Sequence, residues 1–165
     1  MKIRQEIPAD QGTVRQITED AFATAEHSSG TEGAIIDALR DTGSLTLSLV
    51  AEIDGQVVGH IAFSPVTVAG NDVGWFGLGP VAIRPDLQGQ GIGGNLIRKG
   101  LTQLRAQGAR GCVVLGSPGY YTRFGFAQDA SLVFEGVPPE YFMSQVFCGK
   151  APAGAVVYQP AFYSA

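Results

Sequence analysis

The sequence predicts a mixed α/β domain, and three patterns carry that expectation. Apolar strands form a meander between residues 45 and 83, punctuated by the tight turns Asp54-Gly55 and Ala69 to Asp72. A glycine-rich loop at residues 88–94 then opens into a helix with one apolar face. The short apolar run Cys112 to Leu115 follows that helix and reads as a further strand. A length of 165 residues suits one domain, spanning residues 1–165, with a core of its own. No repeat, low-complexity tract or linker divides it.

Taken in order, Lys2 to Ile7 reads as the first strand. Pro8-Ala9-Asp10 opens a helix whose Val14, Ile17, Ala21 and Phe22 share a face. Ala25 to Gly30 is a break, and Thr31 to Arg40 a second helix with Ile35, Ile36 and Leu39 apolar. Leu45 to Ile53, Gln56 to Val68 and Val73 to Ile83 are the meander strands. The helix Ile92 to Gln107 presents Ile92, Leu96, Ile97, Leu101 and Leu104 on one face and ends at Gly108. Beyond Leu115 come a turn at Gly116 to Gly119, a bend at Phe124-Gly125-Phe126 and a strand at Ser131 to Phe134. A helical turn starting at Pro138 and a last strand at Ala155 to Tyr158 complete the chain. Tyr141, Phe142 and Phe147 read as packing residues, and the tail after Pro160 either docks or frays.

Composition narrows the function classes. A net charge of −4 disfavours non-specific nucleic-acid binding. No apolar run approaches the ~18 residues of a membrane span, and the opening Met1 to Glu6 lacks the apolar core of a signal peptide, so a cytoplasmic location is expected. Cys112 and Cys148 are the only cysteines. With His27 and His60 the only histidines, a protein metal site is poorly supplied and none is expected. Cys112, inside an apolar run, reads as a small buried hydrophobe rather than a nucleophile.

The charge is unevenly spread. Between Leu87 and Gln128 stand Arg98, Lys99, Arg105, Arg110 and Arg123 with no acid, so the remainder carries −9. These cations either complement a ligand bearing several phosphates or form the solvated face of the helix. The loop itself favours the first reading. Glycines at 89, 91, 93 and 94 let backbone N–H groups crowd one point, and a helix start adds free N–H groups and the positive end of its dipole.

Gly89-x-Gly91-x-x-Gly94 fits the dinucleotide pattern literally, but the ribose-binding acid expected about 20 residues on is absent. The Walker pattern fails because no Lys-Ser/Thr follows the last glycine. A hydrolase nucleophile elbow fails because Leu115 stands where Gly-x-Ser-x-Gly needs its first glycine.

Gln88-x-x-Gly91-x-Gly93, placed after Val81-Ala82-Ile83, resembles the acyl-CoA pyrophosphate motif of the GNAT N-acetyltransferases. Tyr121-Thr-Arg-Phe-Gly125-Phe126 is similar to that family's second mark, Tyr-x-x-x-Gly-Phe, and Tyr120 to Phe126 looks like a branch carrying Tyr-Tyr-x-Arg-Phe-Gly-Phe. The resemblance covers roughly residues 1 to 130. It implies a central, mostly antiparallel sheet splayed at strands four and five and flanked by helices, with acetyl-CoA as co-substrate and an unidentified primary amine as acceptor. It admits a homodimer through an exposed strand edge.

The same resemblance assigns site residues. Gln88, Gly89, Gln90, Gly91, Ile92, Gly93 and Gly94 would hold the pyrophosphate. Val81, Ala82 and Ile83 would pair with the pantetheine arm, and Ser117 would flank it. Gly77, Gly79 and Pro80 would break regular pairing just before, or simply form a bulge. Tyr121 matches the motif tyrosine that protonates the leaving thiolate, with Tyr120 its neighbouring rival and packing the competing role. The base is less defined. His60 titrates near working pH but equally suits a satisfied strand histidine, and Glu52 and Asp72 are weaker candidates. The resemblance puts the first two helices beside the acceptor, where His27, Ser28 and Ser29 are either contacts or plain loop. A non-catalytic acyl-CoA-binding module is the competing class, and a dinucleotide oxidoreductase a distant third.

Overall fold

The computed structural model describes residues 1–25 and 28–164. Five elements build the first half: β1 (Lys2–Gln5), α1 (Gln11–Phe22), α2 (Glu32–Asp41), β2 (Leu47–Ile53) and β3 (Gln56–Val68). Then come β4 (Asn71–Ile83), α3 (Ile92–Ala106), β5 (Gly111–Leu115) and a short α4 (Pro118–Tyr121). The chain closes with β6 (Leu132–Val133), β7 (Phe142–Val146) and β8 (Gly154–Val157). His27 lies outside the described residues.

The strands form one mixed sheet in the order β1-β2-β3-β4-β5-β7, with β8 pairing the far end of β3 through Thr67 and Val68. Neighbours along that path are antiparallel except β4 and β5. Alternation along β2 explains the layering. Leu47, Leu49 and Ala51 point to one face, where Leu96, Ile97, Leu101 and Leu104 of α3 pack. Val50 points to the other, against Val14 of α1 and Ile36 of α2. A third cluster joins Trp75 and Val113 to Leu132, Phe142, Val156 and Tyr158 from the C-terminal third.

The expected strand at residues 131–134 is shorter, and the N-terminal strand ends at Gln5. β7 is a strand the sequence did not announce. Its Phe142 and Met143 are both buried, one in each of two clusters, so no alternation marks it. The proline-led turn expected from Pro138 is present at Pro139–Tyr141 and runs straight into it.

The sheet opens into a fork between β4 and β5. The two pair in parallel only at Trp75–Gly111, Phe76–Cys112 and Gly77–Val113. β4 then continues to Ile83 alone on that side, while β5 pairs its other edge with β7. At the parting point Phe63 of β3 faces Leu78 and Ile61 faces Val81, so Gly79 and Pro80 together oppose Ala62. That extra residue is a bulge, which turns β4 away from β5.

Candidate active site

Beyond the bulge, β4 keeps one edge free. Arg84 donates its N–H to Val58 O at 2.8 Å, and Ala82 lies opposite His60. Alternation therefore turns the backbone groups of Val81 and Ile83 away from β3, into the fork. The Gln88 side chain reaches back and donates to Ile83 O at 3.1 Å, fixing the start of the glycine loop against the strand end.

Gly91 caps α3 in the left-handed region, at φ 85°, which a side chain disfavours. The first helical hydrogen bond runs from Asn95 N to Gly91 O at 3.1 Å, leaving the N–H groups of Ile92, Gly93 and Gly94 without helical partners. The first turn holds no acid. Those N–H groups and the helix dipole suit an anion, and the surroundings suit its approach. Gly89, Gln90 and Gly91 are exposed, and a Cβ on Gly93 would meet Tyr120 Oη at 3.5 Å and Ile83 Cγ1 at 3.7 Å. The Arg98 and Arg123 guanidinium groups lie 4.9 Å from the ring centroids of Phe124 and Tyr120 respectively. Arg105 instead pairs with Gln145 and covers Phe147, away from the loop.

Across the fork, Ser117 caps α4, and its carbonyl accepts from Tyr120 N and Tyr121 N at 3.1 and 3.0 Å. Its exposed side chain leaves the cap to the backbone. The Tyr121 ring lies over Gly116 and meets Phe126 edge-on, with centroids 6.1 Å apart. Burial pushes its phenol up to about 12, so the hydroxyl is a proton donor throughout the neutral range.

The sequence and the fold as a whole are matched by known proteins. The family model "Acetyltransferase (GNAT) family" matches residues 13–126. The chain belongs to the GNAT acetyltransferase family. One GNAT acetyltransferase from Brucella melitensis, solved in complex with acetyl-CoA, shares 53% identity at a TM-score of 0.88, covering 98% of this chain and 97% of that one. The crystal structure of YhbS from Escherichia coli in complex with CoA shares 35% identity at a TM-score of 0.90, covering 98% and 91%. In sequence, the N-acetyltransferase YhbS of Escherichia coli strain K12 is 42% identical over 127 residues, 76% of this chain and 73% of that protein.

Against the GNAT frame, the titratable candidates fall apart in space. His60 is fully buried on the α1/α2 face, with Nε2 2.7 Å from Ser48 Oγ. Burial, reinforced by the Arg40 charge, pushes its imidazole down to about 3, so it is neutral and a weak proton acceptor. Its reading as a base meets that obstacle, which strand spacing alone did not reveal. Glu52 pairs with Arg4 at 3.3 Å, and Asp72 accepts from Gly74 N at the start of β4. Neither lines the fork. Cys112 is fully buried, and desolvation raises its thiol well above the ordinary range.

Beside the fork lies a pocket of about 340 Å³, floored by Leu78, Gly79 and Pro80 of β4 and by Leu115 of β5. Phe22 and Ile35 close one side; Phe134, Tyr158, Phe162 and Tyr163 close the other. Of the two courses open to the tail, it docks: Tyr158 N donates to Tyr163 Oη at 3.0 Å, and Gln159 Nε2 to Pro65 O at 2.9 Å. Sequence reasoning missed these wall residues. The available signal was the aromatic spacing Tyr158, Phe162, Tyr163 next to a short strand.

Proposed function

We propose that this chain binds acetyl-CoA and transfers its acetyl group to a primary amine by direct attack. The observation that carries the reading is the edge of Val81 and Ile83, which has no strand partner on the fork side among the described residues and opens beside three N–H groups without helical partners at the start of α3. A pantetheine arm carries amides that can pair with such an edge, and a pyrophosphate suits such a helix start. Arg98 and Arg123 add positive charge where the nucleotide's phosphates would lie. The mixed, largely antiparallel sheet, with β4 and β5 parallel for three residue pairs, argues against a doubly wound dinucleotide fold.

Within this reading the fork aligns the thioester with the acceptor, which supplies the effect of proximity. A free backbone N–H on the fork edge of β4 stabilises the carbonyl oxygen as negative charge develops. Tyr121 gives its phenolic proton to the sulfur as the C–S bond breaks, and recovers a proton from the nitrogen that has formed the new C–N bond. Ser117 and the α4 backbone hold Tyr121 in place. His60 has no part in the step, because a buried neutral imidazole of low basicity is a poor acceptor.

Calorimetric titration with acetyl-CoA and separately with NADH tests the reading, followed by assay of thiol release with amines. Binding of acetyl-CoA without NADH, and thiol release that depends on an amine, is the expected result. Absence of acetyl-CoA binding overturns it. Binding without transfer to any amine would favour a sensor module instead.

A further inference from the structure

The pocket beside the fork has a composition that selects its occupant. Its walls are apolar and mainly aromatic, and Glu32 on the first turn of α2 is the one charged group among the described lining residues. Both Glu32 carboxylate oxygens face hydroxyls: Ser28 Oγ donates to one at 2.6 Å and Ser29 Oγ to the other at 3.2 Å. Those hydroxyls tie the loop before α2 to the pocket wall. The second polar feature is Tyr158, which is 7% exposed and whose hydroxyl has no hydrogen-bond partner among the described residues. Its ring lies over Gly77, where a Cβ would stand 2.6 Å from Cε2, so the absence of a side chain on β4 is what lets the phenol reach the fork.

Resting on the acetyl-transfer reading, we propose that this pocket is the acceptor site and that the acceptor is a compact monoamine with an apolar, preferably aromatic, body. A single carboxylate neutralises one ammonium. A second ammonium, as in a polyamine, would lie desolvated among aromatic walls without a counter-ion among the described residues, which is costly. A zwitterionic amino acid would need a cation for its carboxylate, and no lysine or arginine lines the pocket among the described residues. Phe134 and Phe162 bury the body of the amine, and burial of such a group is the main source of affinity in a pocket of this size.

The proton balance is closed by Glu32. An amine enters as R–NH3⁺, and the Glu32 carboxylate takes one proton and passes it to solvent. The freed lone pair forms the N–C bond, the C–S electron pair leaves with sulfur, and sulfur takes the Tyr121 proton. The nitrogen's surplus proton restores Tyr121. One amide, one thiol and one released proton result.

The test compares 2-phenylethylamine, spermidine and a lysine-containing tripeptide as acceptors for the full chain with saturating acetyl-CoA. The expected kcat/KM for 2-phenylethylamine exceeds that for either alternative at least tenfold. Phe134→Ala should raise its KM while leaving kcat nearly unchanged. Glu32→Gln should lower kcat/KM at least tenfold and steepen its rise with pH, with acetyl-CoA affinity kept by calorimetry. Equal or better use of spermidine or the tripeptide overturns the proposal, as does bound acetyl-CoA with no acetylation of 2-phenylethylamine. An unchanged Glu32→Gln rate overturns the proton role. Failure to bind acetyl-CoA at all is read at the calorimetric step and overturns the underlying reading together with this one.

Discussion

The ring of Tyr121 lies so close over Gly116 that a Cβ there has no room. Gly116 follows β5, and its bare backbone is what lets the tyrosine fold back toward the fork rather than into solvent. Two substitutions separate the ring from its hydroxyl. Tyr121→Phe keeps the packing and should cut kcat by about 10²-fold, the scale of a lost general acid, with acetyl-CoA affinity nearly unchanged. Gly116→Ala should displace the whole ring, lowering kcat and costing about 1–3 kcal/mol of stability. Normal turnover in Tyr121→Phe would remove the phenol from the chemistry.

The glycine loop permits a similar separation of strain from occlusion. Gly91 sits at φ 85°, so Gly91→Ala should cost about 1–2 kcal/mol of folding stability by forcing a side chain into the left-handed region. Gly93 has no such strain, and a methyl there makes only ordinary contacts with Tyr120 and Ile83. Gly93→Ala should therefore keep the melting temperature while weakening acetyl-CoA binding about tenfold by blocking the helix-end N–H groups. A Gly93→Ala protein with native affinity would show that the ligand's phosphates do not approach this turn.

Two turns further along α3, Gly100 faces the ring of Phe63, and no Cβ fits between them. In an exposed helix, glycine to alanine would gain close to 1 kcal/mol. Here the added methyl must push α3 off β3, and overpacking of this kind costs about 1–3 kcal/mol. Gly100→Ala should thus lower the melting temperature, and an increase would show that the helix can shift without penalty.

Much of this architecture was legible because it is local. The Asp54-Gly55 turn, the strand alternation and the apolar face of α3 each rest on neighbours in sequence, and each is present. The glycine loop was legible for the same reason. The pocket beside the fork was not, since it depends on β8 landing on Thr67 and Val68 of β3, some ninety residues earlier in the chain. That contact, with the Gln159 hydrogen bond to Pro65 O, brings Tyr158, Phe162 and Tyr163 to the fork. His60 misleads for a related reason. Its spacing on β3 shows that it alternates with Gly59 and Ile61, but not that the face it joins is sealed by α1 and α2 with Arg40 nearby.

The burial of His60 has a consequence for stability that is independent of catalysis. Its folded pKa is lowered to about 3 from an ordinary 6.5, so between those values the unfolded chain binds a proton that the folded chain refuses. Stability from this group is fully present above pH 6.5 and is lost as pH falls through the window toward 3. Asp10, held below the usual carboxylate range by the Arg4 side chain, contributes its own loss only at more acid pH. The melting temperature should therefore decline between pH 6.5 and 5 in the native protein, and His60→Gln should flatten that decline while lowering the value at pH 7. The pH–rate profile of acetyl transfer should be the same in both proteins. Disappearance of an acid limb in the His60→Gln profile would restore the histidine to the mechanism.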